Sequence, residues 1–131
     1  MKGNYKAENE AFMAEMAQQP DVHQLAGGVL YQVVRSGTGT RCPNVRSIVT
    51  VNYKGSLING RVFDDSSRQA CPPAFRVREL IAGWQIALCR MHEGDCWKIY
   101  VPANLGYGPR TSGPIPGNST LIFDIELLRI G

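Results

Sequence analysis

Residues 81–91, Ile81-Ala82-Gly83-Trp84-Gln85-Ile86-Ala87-Leu88-Cys89-Arg90-Met91, decide the fold class of this chain. Ile81, Trp84, Leu88 and Met91 recur at helical spacing, one face of a helix of about three turns, and such a face must be buried. Residues 76–80 carry Val77 into the same run. On the other side Glu93-Gly94-Asp95 makes a turn, after which Trp97, Ile99 and Val101 alternate with Cys96, Lys98 and Tyr100 in the two-residue period of a strand.

Further strands flank this pair. Ile48 to Tyr53 alternates so that Val49, Val51 and Tyr53 share a face. Val29 to Val34 is a β-branched run between Gly27-Gly28 and Ser36-Gly37-Thr38-Gly39, and a last strand, Thr120 to Arg129, follows the Gly- and Pro-rich loop 102–119. Several strands and one core helix give an α+β fold: an antiparallel twisted sheet wrapped around one short α-helix. Ahead of it, Ala7, Ala11, Phe12, Met16 and Ala17 fall at helical spacing among Glu8, Glu10 and Glu15, so a helix over residues 5–19 is expected to end before Pro20. Its stripe is narrow, and it either lies on its own domain or pairs with a second copy.

The chain's 131 residues, 44% of them hydrophobic, suit one core. The division expected is an extension and linker over residues 1–27 and a single domain over 28–131. The formal charge of +3 comes from scattered basic residues with no block or stripe, so no nucleic-acid partner is expected. No apolar run reaches the roughly 20 residues that span a bilayer, and the start of the chain is too acidic and polar for a signal peptide. As written the protein reads as cytoplasmic, with the cell envelope the alternative if an export signal has been trimmed.

Cys42, Cys71, Cys89 and Cys96 form no close redox pair, and reduced thiols are the default. Cys89-x-x-His92-x-x-x-Cys96 carries three potential zinc ligands, but structural zinc takes four and no fourth Cys or His lies nearby in sequence, so no metal is expected. Neither a Ser/His/Asp set nor a Gly-rich phosphate loop is present, and no cofactor is expected. His23 falls in the linker.

Four segments carry rings and one carboxylate: Val51-Asn52-Tyr53-Lys54-Gly55, Val62-Phe63-Asp64-Asp65-Ser66-Ser67, Ile81-Ala82-Gly83-Trp84 and Leu105-Gly106-Tyr107-Gly108. With Leu121-Ile122-Phe123-Asp124-Ile125-Glu126 at the end, they suit a small apolar pocket with a polar rim. Each has a plainer reading. Trp84 and Phe123 stand at core-facing spacing; Tyr53 alternates inward and its hydroxyl would need a partner; Asp64 to Ser67 is also an ordinary turn sequence. Tyr107 between two glycines is less easily packing.

In this order the motifs closely resemble the FKBP family of peptidyl-prolyl cis-trans isomerases, over roughly residues 28 to 131, in its bacterial branch. The resemblance implies catalysis of X-Pro rotation with Asp64, Tyr107, Phe63, Trp84 and Phe123 as the catalytic set. It makes Trp84 the pocket floor, Tyr53, Phe63 and Phe123 the walls, and Asp64 a carboxylate that orients Tyr53 and polarises the site. Tyr107 would donate from the rim, Leu80 and Ile81 would line the entry with the Ile81 N–H on the bound peptide, Glu79 would join them in substrate binding, and Ile115 would form the far lip. The partners implied are proline-containing polypeptides, with macrolides of the tacrolimus and rapamycin type as competitive ligands.

Three features depart from the family pattern. Pro73 stands where an aromatic is usual, with Phe75 two residues later; Gln69 stands where an Arg commonly pairs with the site carboxylate, with Arg68 beside it; and the loop from Tyr107 to Ile115 is one residue short of the commonest form. The function expected is an isomerase assisting folding of flexible chains, acting as a monomer or weak dimer. The alternative is a chaperone or assembly module that holds proline segments, with catalysis incidental.

Overall fold

A computed structural model describes residues 4–131; residues 1–3 of the expected extension lie outside the described residues. The elements run α1 (Tyr5–Met16), β1 (His23–Gln24), β2 (Leu30–Arg35), β3 (Ile48–Ser56), β4 (Val62–Asp65), β5 (Ala74–Arg76), α2 (Ala82–Leu88), β6 (Cys96–Val101) and β7 (Leu121–Ile130). The seven strands make one antiparallel sheet in the order β1-β2-β6-β7-β3-β4, with β5 pairing the start of β3 where β4 pairs its end. The fold is the α+β sheet-on-helix that the sequence implies.

One face of the sheet closes on α2. Gly83, Trp84, Ala87 and Leu88 are the buried residues of that helix and pack with Val49 and Val51 of β3, Ile99 and Val101 of β6, and Phe123, Ile125 and Leu127 of β7. The approach is close: a Cβ on Gly83 would lie 2.4 Å from Val101 Cγ1. The helix has about two turns rather than three. Leu80 is extended and Ile81 is the N-cap; beyond Leu88, Arg90 and Met91 donate to Ala87 and Leu88, three residues back, tightening the last turn until it ends. Met91 is still fully buried, which is why the spacing overstated the helix.

On the opposite face α1 covers the end of β6 and the start of β7, so Tyr100 to Val101 and Leu121 to Phe123 are buried on both sides and alternation fails there, while it persists from Cys96 to Ile99 and from Asp124 onward. Leu30, Tyr100 and Ile122 form a second cluster against Phe12, Met13 and Met16. Of the expected stripe, Phe12 and Met16 face the sheet, while Ala7, Ala11 and Ala17 are exposed. The anchor of α1 is polar: Asn9, 2% exposed, accepts the Thr120 N–H at 2.7 Å and donates to the Tyr5 carbonyl at 2.8 Å, while the Tyr5 hydroxyl meets Ser119 Oγ at 2.7 Å. Three strands were not legible, β1, β4 and β5; His23 belongs to the short β1, paired with Tyr31 of β2, rather than to a free linker.

Candidate active site

The pocket is built where the end of β3 meets the start of α2. Ten residues line a cavity of about 310 Å³: Tyr53, Phe63, Asp64, Phe75, Glu79, Leu80, Ile81, Trp84, Tyr107 and Phe123. Trp84 is 3% exposed, and three rings stand nearly perpendicular to its indole: Tyr53 at 5.2 Å and 84°, Phe123 at 5.2 Å and 87°, and Phe75 at 6.3 Å and 89°. Phe63 is set edge-on to Phe123 at 5.7 Å. This leaves a box of ring faces and edges, with a strong preference for apolar contents. Glycine at position 55 makes it possible, since a Cβ there would lie 2.7 Å from Phe63 and 2.8 Å from Phe123.

Polar groups stand only at the rim. The Tyr53 hydroxyl donates to Asp64 Oδ2 at 2.8 Å. Burial, then that hydrogen bond, push the Tyr53 phenol up to about 12. A raised phenol pKa means that the donated proton is fully in place below the ordinary value of 10.0, and that the bond's stabilisation is lost as pH rises through about 12. Tyr53→Phe is therefore expected to remove one late phenol from a spectrophotometric titration and to flatten the loss of stability between pH 10.0 and about 12; loss of a phenol that titrates near 10.0 instead would show that Tyr53 ionises early and the bond is absent.

Asp64 and Asp65, neighbours in β4, divide the two readings of their segment between them. Asp64 faces the pocket, whereas Asp65 accepts the Ser67 N–H at 2.9 Å and starts the turn. Buried Ser66 locks the turn to β3 by accepting the Tyr53 N–H at 2.8 Å. The β3–β4 register shifts between Gly55 and Ser56, skipping Phe63, and this irregularity lets Phe63 and Asp64 both reach the cavity. Among the described residues no guanidinium pairs with Asp64, Arg68 included.

Leu80, Ile81 and Glu79 line the mouth. As N-cap, Ile81 keeps its N–H outside the helix ladder, and among the described residues nothing accepts from it. Tyr107, 45% exposed, precedes Gly108 at φ 74, a left-handed turn that keeps the ring at the surface. Ile115 is not a lining residue. It is 5% exposed and packs in the main core, turned inward by paired backbone bonds with Ser112.

Phe75 was the residue left open by the sequence. An extended chain returns to the same side every two residues, so Phe75 supplies the wall that Pro73 cannot, while the Pro73 carbonyl accepts the Val51 N–H. The three candidate zinc ligands part company: Cys89 ends α2, His92 faces Cys42, and Cys96 lies on β6. Among the described residues no group of three His, Cys, Asp or Glu side chains could hold a metal. A larger groove, about 440 Å³, runs between α1 and the loop after β6, but it holds no cluster of rings.

The family model for FKBP-type peptidyl-prolyl cis-trans isomerases matches residues 39–128. The chain belongs to the FKBP family. Among relatives, it is 41% identical over 126 residues to the outer membrane protein MIP of Legionella longbeachae, covering 95% of this chain and 54% of that protein. It is 42% identical over 123 residues to the peptidyl-prolyl cis-trans isomerase Mip of Coxiella burnetii, covering 93% and 53%. The crystal structure of a peptidyl-prolyl cis-trans isomerase from Pseudomonas syringae superposes with a TM-score of 0.89 at 35% identity, over 99% of this chain and 95% of that one. The chain spans about half the length of the curated relatives it matches. No helix among the described residues is long and apolar enough to cross a membrane.

Proposed function

We propose that this FKBP-family chain accelerates cis-trans rotation of X-Pro bonds in flexible polypeptides. The observation that carries the reading is the ring-walled cavity over Trp84 with Asp64 held at its rim by Tyr53 and, at its mouth, two donors without a partner among the described residues, the Ile81 N–H and the Tyr107 hydroxyl. An X-Pro amide rotates slowly because its transition state gives up resonance, a barrier of about 18–20 kcal/mol for peptide bonds generally. The twisted amide separates less charge than the planar one, so a dry apolar box favours it. The proline ring sits over the indole. The two donors hold the flanking carbonyls, and Asp64, kept in place by Tyr53, polarises the site without transferring a proton.

Proline-containing chains are the substrates in this reading, and macrolides of the tacrolimus and rapamycin type compete with them. Residues 28–131 form the isomerase unit and 1–27 an extension. Since Phe12, Met13 and Met16 are spent on the chain's own sheet, the extension has little apolar surface for a partner, and we infer a monomer or weak dimer. The Legionella relative, an outer membrane protein by name, supports the cell envelope over the cytoplasm.

A protease-coupled assay on Leu-Pro and Phe-Pro peptides tests the activity. Asp64→Leu and Tyr107→Phe are expected to lower kcat/KM by roughly tenfold or more while costing less than about 1 kcal/mol in stability, because each removes a rim group without opening a cavity. Catalysis absent from the folded chain would leave the holding of proline segments as the function; activity intact in both variants would show that the rim plays no part.

A further inference from the structure

At the end of α2 away from the pocket, three side chains of different chemistry meet. Cys42, exposed in the loop before β3, places Sγ 3.4 Å from Nε2 of His92. Nδ1 of the same ring lies 3.6 Å from Oδ2 of Asp95. Asp95 is 6% exposed and cannot swing away, since Oδ1 accepts the Gly37 N–H at 2.7 Å and Oδ2 the His92 N–H at 2.9 Å. A fixed carboxylate on the Nδ1 side favours the tautomer with its proton there. The Nε2 lone pair is then turned toward the thiol, placed to accept its proton.

None of this serves the pocket. Ile81 and Trp84 stand at the start of α2, and His92 follows its end, about 10 Å away along a helix of seven residues. The fold does not need a thiol at position 42 either, for the side chain is exposed.

We propose that Cys42 is an S-thiolation site, with His92 as its proton acceptor and the disulfide of a low-molecular-weight thiol, such as glutathione disulfide, as its substrate class. As Cys42 Sγ attacks one sulfur of the disulfide, its proton passes to His92 Nε2. The new S–S bond forms while the old one breaks, and the departing thiolate takes the proton from the imidazolium and leaves as a thiol. Cys42 is oxidised, one half of the reagent is reduced, and no other oxidant enters.

The remaining cysteines are controls within the same molecule. Cys71 is as exposed as Cys42 but has no imidazole beside it. Cys89 and Cys96 are half-buried, and burial pushes both thiols up, away from the reactive thiolate.

The test is to incubate the full chain with glutathione disulfide, quench with acid at intervals, and map mixed disulfides by peptide mass. Cys42 is expected to react at least about tenfold faster than Cys71. His92→Gln, checked by circular dichroism to be folded, is expected to bring Cys42 down to the Cys71 rate. Equal rates at Cys42 and Cys71 in the unaltered chain, a comparison that needs no variant, would overturn the proposal. So would a folded His92→Gln protein that thiolates at Cys42 as fast as before.

Discussion

Trp84→Ala is expected to cost about 3–5 kcal/mol of folding stability and to abolish isomerase activity in whatever fraction remains folded. The indole is 3% exposed, and Tyr53, Phe75 and Phe123 all rest against it, so its removal takes away the floor and the support of three walls at once. Those walls come from β3, β5 and β7, and Trp84 is the residue of α2 that meets all three rings. The cavity cannot collapse without moving strands.

Trp84→Phe separates packing from polarity. The indole Nε1 is buried and among the described residues has no hydrogen-bond partner, so the protein already bears the desolvation of one donor. Phenylalanine gives up ring volume but removes that donor, and its cost is expected to be less than half that of alanine. Urea unfolding followed by circular dichroism measures both. Equal losses for the two variants would mean that the indole N–H is satisfied in solution and that the walls depend on the second ring.

The same contrast between apolar and polar roles explains what could be read from the sequence. Trp84, Leu88, Val49, Val51 and Phe123 were legible because each lies on a face whose burial repeats with its element's period. In β4 the pattern runs against burial: Val62 is 41% exposed and Asp65 is half-buried, because pairing with β3 and a register shift, not hydropathy, set its faces. Phe75 was hidden in a three-residue edge strand, too short to show a period. Tyr100 and Ile122 read as outward residues until α1 covers them. Nor does any local rule predict that Asp64 stands without an arginine, since Arg68 beside Gln69 makes no ion pair with it.

Removal of α1 is the second large effect expected, and it differs from what its narrow apolar stripe alone implies. A helix of 12 residues is marginal in water, so this one exists by docking, and docking rests on Asn9 as much as on Phe12, Met13 and Met16. Deleting residues 1–19 exposes Leu30, Tyr100 and Ile122 and exchanges the buried Asn9–Thr120 hydrogen bond for one to water, whereas Asn9→Ala keeps Thr120 covered and leaves its N–H without that acceptor. The deletion is expected to cost about 3–5 kcal/mol, and Asn9→Ala alone about 1–3 kcal/mol through the unsatisfied N–H. Because every proposed pocket residue lies at or beyond Tyr53, short-peptide activity per folded molecule is expected to survive both changes. Urea titrations paired with the isomerase assay decide it. Unchanged stability after deletion would show α1 undocked in solution. Activity lost from a folded, truncated chain would mean that α1, whose Lys6, Glu10 and Met13 border the groove reaching Gly108 beside Tyr107, builds part of the site.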